Sequence, residues 1–418
     1  MRRRLPLLLL LSLLLLPVTA RAAGKVSLLP TFNLMGEWTD NFLLTPESVA
    51  DEKFAAYSVT FEPGLRLRYD TFRHEAFIGI AAGFRHVIDH EQYDGWPEFY
   101  TGGLGWSYWV TPTLRTTVGD EIIYTTDPRD QPFSRSTTLE SLRTESIANR
   151  LFATTTWNLS RTSVLEGGYS FYTTEFKEPS FFDTVEHQFN LTWTKQFDPS
   201  YAFLTFYDFN RALYSQHFDF LRHYWDHDYS MDPSFPVRME NRADFDTHTP
   251  GVGLRYTATP SLSFETRSGV ILPAVERNGA YQLDDLQWFQ RMDIVKLFWR
   301  MQASASYQRN YAPAHGLEGA VLAQSVTARL DERWTRHIET YEEAGYTNYL
   351  QTVTDIDAWR ATGAFNYYFF NWLGLGAAYN YLEQQSHPVA EGDGDRIVAH
   401  RITLRLALTS PRPDWLSF

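Results

Sequence analysis

The sequence predicts an all-β protein, a transmembrane antiparallel β-barrel of about 18 strands. Three observations predict it. Apolar and polar residues alternate with period two over stretches of about ten residues, as in strands with one apolar and one polar face. The connections between those stretches are alternately short and long, as in outer-membrane barrels with tight periplasmic turns and extended surface loops. Finally, aromatic residues make up 16% of a cysteine-free chain whose mean hydropathy is only −0.35. A polar average with many aromatics fits an apolar lipid face, a polar lumen and aromatic belts at both interfaces.

The first residues set the compartment. Arg2, Arg3 and Arg4 precede an apolar run from Leu5 to Pro17, and Ala20-Arg21-Ala22 supplies small residues for a signal peptidase. Residues 1–22 therefore read as a cleaved signal peptide, and 23–418 as a single outer-membrane barrel domain. The alternative is a membrane anchor, but an apolar run of about 13 residues falls short of the ~20 that a spanning helix needs. Expected partners follow from the compartment: outer-membrane lipid and the β-barrel assembly machinery.

The strands declare themselves in order. Val26, Leu28, Phe32, Leu34 and Trp38 alternate with Ser27, Thr31, Asn33 and Glu37. Val59, Phe61, Leu65, Leu67 and Tyr69 alternate with Ser58, Thr60, Glu62, Arg66 and Arg68. The same pattern returns around Leu151–Leu159, Val185–Trp193 and Ile402–Leu408. Short connections are expected at 70–73, 111–113, 160–162, 198–200, 259–261, 295–298, 336–338 and 371–373. Longer ones are expected at 39–53, 89–97, 127–145, 178–182, 217–241, 275–282, 311–322, 354–357 and 387–396. Segments 283–294 and 341–353 pattern poorly, which leaves 16 strands open as an alternative. A β-sandwich of this length would exceed one hydrophobic core.

Composition excludes several functions. Without cysteine there are no disulfides, thiolate metal sites or lipidated N-terminal cysteine. A net charge of −13, made more negative by loss of the leader's arginines, gives no reason to bind nucleic acid. No nucleophile elbow, zincin helix or phosphate loop occurs. The chain reads as a non-enzyme with no cofactor and no metal. The only ligand-type cluster, Asp226, His227, Asp228 and Asp232, consists of near neighbours in one loop.

Taking each apolar face as outward, the lumen receives Arg66, Arg68, Arg85, Arg115, Arg150, Arg255, Arg267, Arg300, Arg329, Arg360 and Arg405. It also receives Glu37, Glu62, Glu121, Glu166, Glu186, Asp208, Glu265 and Asp331. The bore is expected to lean positive, with Arg66, Arg68, Arg115, Arg150, Arg255 and Arg405 as substrate-path contacts. The competing reading is that these arginines pair with the acids and brace the wall. Asp120 falls on the lipid side of its strand, implying a bulge, an interfacial depth or a misassigned register. Tyr93, Trp96 and Phe99, then Phe181 and Phe182, then Phe218, Phe220, Tyr224 and Trp225 gather at three loops. They read either as sugar-stacking faces or as loop packing and interfacial belt.

Two stretches carry a resemblance. Glu37-Trp38-Thr39-Asp40-Asn41 ends the first strand, and Glu62-Pro63-Gly64-Leu65-Arg66-Leu67-Arg68-Tyr69 forms the second. A Thr39-Asp40-Asn41 step followed by a Pro63-Gly64 core resembles the β-barrel porin type 2 family of outer-membrane proteins. Pro250-Gly251-Val252-Gly253-Leu254-Arg255-Tyr256 echoes the second strand. The resemblance implies a passive channel for exopolysaccharide export, working with a periplasmic polysaccharide export protein. The alternatives are a general or substrate-specific diffusion porin, and a surface enzyme or structural anchor. The terminal Phe418 has the position of an assembly signal, but Pro411 and Pro413 before it cannot join a ladder.

Overall fold

The computed structural model describes residues 24–44, 53–126, 145–177, 183–215, 244–277, 280–283, 285–313, 320–350, 354–388 and 396–409. The leader, most of the long connections, the loop aromatics from Phe181 to Trp225, the 226–232 cluster and the Pro411–Phe418 tail lie outside them.

The strands are β1 (Lys25–Thr39), β2 (Ala56–Asp70), β3 (His74–Val87), β4 (Gly95–Thr111), β5 (Leu114–Thr125), β6 (Ser146–Ser160), β7 (Ser163–Phe176), β8 (Asp183–Gln196), β9 (Tyr201–Ser215) and β10 (Phe245–Thr259). They continue as β11 (Leu262–Arg277), β12 (Ala280–Leu283), β13 (Gln287–Leu297), β14 (Met301–Pro313), β15 (Ala320–Arg333), β16 (Ile338–Leu350), β17 (Thr354–Phe370), β18 (Leu373–Pro388) and β19 (Arg396–Thr409). All pairings are antiparallel between neighbours, and β19 pairs back onto β1 over Thr31–Thr39. The short β12 pairs only with the outer end of β11, while β13 continues the same position below it. The sheet therefore closes as a barrel of 18 staves, which settles the choice between 16 and 18.

Following paired residues once round the barrel returns to β1 displaced by about 22 residues, a stagger that tilts the strands by roughly 40°. Eighteen staves ~4.8 Å apart at that tilt enclose a backbone diameter of roughly 35 Å. Side chains alone cannot fill such a bore, so its inner face must be polar enough to hold water.

The register explains the alternation. Val26, Leu28 and Leu34 on β1, Val59, Phe61 and Leu65 on β2, and Ile78 and Ile80 on β3 form a continuous exposed apolar face. Leu151 and Trp157, Leu191, Val252 and Leu254, Ile294, and Ile402 and Leu404 extend it round the barrel. In a bilayer that face meets lipid, and closure leaves no open edge. The chain is an outer-membrane protein.

The eight tight turns fall at 71–73, 112–113, 161–162, 197–200, 260–261, 298–300, 334–337 and 371–372. Hydroxyls shape them. Thr111 Oγ1 accepts the Thr113 N–H, Ser160 Oγ the Thr162 N–H and Thr259 Oγ1 the Ser261 N–H, each at 3.3 Å. The expected turns at 295–298 and 336–338 move by a few residues. Val295 to Leu297 continue β13 and the turn takes up Phe298, Trp299 and Arg300, since its apolar residues give the alternation no break. Both described ends of the chain lie on the tight-turn side, the periplasmic one.

Asp120 requires no bulge. It faces outward in unbroken register with Leu104 and Leu151, and Asn149, also outward, donates to its Oδ1 at 2.7 Å.

Candidate functional site: the bore

The inner wall is built by glycine and aromatic pairs. On β3 to β6, Gly103, Gly105, Gly119, Phe77 and Phe152 all face inward. A Cβ on Gly105 would stand 2.5 Å from the Phe77 ring, and one on Gly119 2.5 Å from Phe152. Each ring therefore lies flat in a notch that only glycine leaves open. Arginines lie on those rings. The Arg66 guanidinium is 5.0 Å from the Phe77 centroid, and that of Arg150 is 4.8 Å from Phe152 and 5.5 Å from Tyr172. Arg115 lies over Trp109 and Arg329 over Tyr341. Stacking fixes each guanidinium plane and leaves its edges directed along the wall.

All six expected contacts, Arg66, Arg68, Arg115, Arg150, Arg255 and Arg405, face inward. Most of these edges meet carboxylates. Arg68 bonds Asp70 at 2.8 Å and Glu75 at 3.0 Å, and Arg115 reaches Glu75 at 3.2 Å. Arg150 stands 3.6 Å from Glu121. Arg255 and Arg267 share Glu265 at 2.7 and 2.8 Å. Near the extracellular end Arg85 pairs with Glu98 at 2.6 Å, both side chains almost fully buried. That contact braces the wall and touches no solute path.

The positive-leaning bore is therefore a correction. Asp70, Glu75, Glu98, Glu339 and Glu343 also face inward; the first four lie near turns or bulges and Glu343 in the poorly patterned 341–353 segment, which hid them from the alternation. Strand β13, poorly patterned in sequence, adds Arg291 and Asp293 as a pair 2.7 Å apart. Arg300 leaves the lumen: it sits in the 298–300 turn, donating to the Trp334 carbonyl at 2.6 Å and lying over Trp299. With these placements the cationic excess disappears among the described residues.

What remains is a segregation by sector. Glu166 on β7, Glu186 on β8 and Asp208 on β9 face inward, and no Lys or Arg in these three strands does. Arg360 on β17 and Arg401 and Arg405 on β19 face inward, and no acid in β17 to β19 does. In the closed order β7, β8 and β9 each stand nine staves, half the barrel, from β17, β18 and β19. An acidic panel and a basic panel thus face each other across the bore. Glu37 of β1, 3.7 Å from Arg401, flanks the basic panel.

The two ends of the bore differ. Toward the extracellular end inward residues are buried, among them Thr60, Thr125, Ala148, Thr174, Tyr214, Phe245 and Tyr349. Nearer the periplasm inward residues such as Arg66, Arg68, Arg115 and Asp293 are part-exposed. At the first connection Phe42 packs on the inward-facing Ala56 and Val87, with Phe54 and Tyr93 against it. Leu44, fully buried, is held there at φ 58°, an uncommon backbone conformation for a branched residue. Tyr93 is thus loop packing, 5.5 Å from Phe54 ring to ring. Phe99 faces the bore against Gly83. Asp94 accepts the Val87 N–H at 2.7 Å and meets His86 Nδ1 at 2.9 Å. Those two contacts hold its carboxyl below the ordinary range.

The Thr39-Asp40-Asn41 step proves to be a seam element. Asp40 accepts the His400 N–H at 2.7 Å, and Asn41 donates to the Val398 carbonyl at 3.1 Å. Thr39 Oγ1 accepts the Asn41 N–H. Side chains thereby extend the β1–β19 pairing past the end of β1. Pro63-Gly64 and Pro250-Gly251 also share a role. The β2–β3 ladder skips Glu62 and Pro63, and the β10–β11 ladder skips Thr249 and Pro250, because proline has no N–H to donate. A Cβ on Gly64 would stand 2.5 Å from Thr31 Oγ1.

No family model matches the chain, and no curated protein matches it. Solved structures do resemble it. Pseudomonas aeruginosa OpdL aligns at 9% identity and a TM-score of 0.47, covering 92% of this chain and 99% of that one. P. aeruginosa OccK2 (OpdF) in complex with glucuronate aligns at 8% and 0.48, covering 93% and 98%. Acinetobacter baumannii OccAB4 aligns at 10% and 0.45, covering 92% and 98%. The barrel assignment rests on the pairing register and not on these likenesses. The resemblance to the β-barrel porin type 2 family has no matching family model behind it, and what stands of it is the barrel architecture.

Proposed function

We propose that the protein is a diffusion channel of the outer membrane for small charged solutes. The observation that carries this reading is the pair of opposed panels, three inward acids on β7–β9 facing three inward cations on β17–β19. Charges of opposite sign on facing low-dielectric walls set up a field across the path, which orients dipolar solutes and draws ions to opposite sides. The stacked arginines between the panels offer many weak, partly satisfied contacts, which favour passage over tight binding.

Exopolysaccharide export, the expectation attached to the family resemblance, is replaced by this reading. It drew on the family resemblance, the aromatic loops and a cationic bore; no family model matches the chain, and the cationic excess is gone among the described residues. The test is reconstitution of the purified barrel in planar bilayers and liposomes. Steady conductance in KCl, with faster liposome swelling in small zwitterions than in neutral sugars of equal size, is expected. A barrel without conductance, or one that passes both solutes equally, overturns the proposal.

A further inference from the structure

The outer wall repeats one arrangement three times. Tyr169 and Phe171 on β7 flank His187 on β8, Tyr207 and Phe209 on β9 flank His248 on β10, and Tyr379 and Tyr381 on β18 flank His400 on β19. In each, the tyrosine hydroxyl meets the histidine Nδ1, at 2.8, 2.6 and 2.8 Å respectively. A phenol donating to Nδ1 leaves the proton of a neutral imidazole on Nε2. Each triplet thus holds a ring whose remaining N–H is directed away from the tyrosine.

By register all nine residues face lipid. The histidines lie three or four residues inside the extracellular ends of β8, β10 and β19. That is ~10 Å below the rim on a tilted strand, the depth at which outer-leaflet headgroups begin.

A cation stands between two of the triplets, whereas at the third the outward cation, Arg396, is bound to Glu383 at 2.8 Å, four residues nearer the rim than His400. Arg211 on β9 faces outward directly opposite His187 on one side and Asp246 on the other. Its side chain is 43% exposed, and its Nε stands 3.6 Å from the Asp246 carboxylate. His248 is the next outward residue along β10 after Asp246. Arg211 thus stands beside Asp246 on the stave between those that carry His187 and His248. Beside His400 stand Asp40, which accepts the His400 backbone N–H at 2.7 Å, and Glu383, which accepts from Tyr381 and pairs with Arg396.

We propose that the outward face of β8–β10, centred on His187, Arg211 and His248, binds the phosphate of a phosphorylated glycolipid in the outer leaflet. A guanidinium with an imidazole on each neighbouring stave supplies the donor set that the oxygens of a phosphate accept from. Phe171 and Phe209 stand opposite the two imidazoles, and Tyr169 and Tyr207 lie one outward step nearer the membrane centre, where the lipid's acyl chains begin. The His400 triplet, whose cation Arg396 is tied to Glu383 at the rim end of β19 and does not stand between two imidazoles, serves as the internal control.

Native mass spectrometry of the barrel released from nanodiscs tests this, with diphosphorylated lipid A and the same lipid with its phosphates removed as probes. Wild type is expected to retain the diphosphorylated form at least tenfold more than the dephosphorylated one. Arg211→Gln with Asp246→Asn, which leaves no lone charge, should remove that preference, as should His187→Gln with His248→Gln. His400→Gln should keep it, and heat-modifiable mobility verifies that each variant is folded. Equal retention of the two lipids by wild type overturns the proposal, as does a preference that survives in folded Arg211→Gln/Asp246→Asn or is lost equally in His400→Gln.

Discussion

The β7–β9 and β17–β19 sectors share one backbone plan and opposite chemistry. Both have three antiparallel strands, an apolar outer face and a polar inner one. One turns three acids inward and no cation, the other three cations and no acid. The walls between them carry both signs, locked in pairs such as Arg68 with Glu75 and Arg291 with Asp293. Paired charges cancel within a few ångströms, so the mixed walls supply little field. Across the bore a passing ion meets the two single-sign sectors, the basic one partly offset by Glu37 of β1, 3.7 Å from Arg401.

Reversing one sector tests that contrast most severely. Arg360→Glu, Arg401→Glu and Arg405→Glu together place acids on both sides. In a KCl gradient the reversal potential should move strongly toward cation selectivity, with a permeability ratio changed on the order of tenfold at 0.1 M salt and much less at 1 M, where screening shortens to about 3 Å. An unchanged reversal potential would remove the basic panel from the ion path. Neutralising the other sector, Glu166→Gln, Glu186→Gln and Asp208→Asn, should shift selectivity toward anions by a smaller factor. Glu186 is only 3% exposed, so two of the three acids dominate what the solute meets.

Neither sector was visible in the sequence, although five of their six members were; Arg401 was missed. Period-two alternation placed Glu166, Glu186, Asp208, Arg360 and Arg405 on inner faces correctly, since that step needs only local patterning. Their grouping depends on strand order and closure, which no local window contains. Alternation also failed where its contrast was weak. On β13 Trp288 and Phe289 are adjacent and both apolar, and Gln290 and Lys296 fall on the outward face, so Arg291 and Asp293 went unseen. The charged strand end Asp70 read as part of the 70–73 turn. The Thr39-Asp40-Asn41 step stood out as a motif, yet its partners Val398 and His400 lie more than 350 residues away, so its role at the seam could only come from the closed barrel.

That seam joins β19, which carries two of the three panel cations, to β1. Asn41 is fully buried, and Asn41→Ala leaves the Val398 carbonyl without the side-chain donor that reaches it. The expected loss is about 1–3 kcal/mol, read as a lower midpoint for conversion from the compact to the heat-denatured gel form. Selectivity of the protein that remains folded should be unchanged, because the register of Arg401 and Arg405 is set by their own ladders with β18 and β1. A selectivity shift in Asn41→Ala would mean that the basic panel depends on the seam as well as on the sheet.

The smallest effect belongs to a wall outside both sectors. Asp94 receives the Val87 N–H and His86, and these contacts hold its pKa below the ordinary 3.8. A depressed carboxylate contributes order that is fully present above the unfolded value and is lost as pH falls through the folded one. Protection of the Val87 amide against hydrogen exchange should therefore persist down to about pH 4 and fall only below it. Asp94→Asn should raise Val87 exchange a few-fold at neutral pH, leaving reversal potential and swelling rates as in wild type. If that single change at the mouth altered selectivity as much as neutralising Glu166, Glu186 and Asp208, the field would originate at the extracellular rim, and the contrast between the two facing sectors would lose its functional meaning.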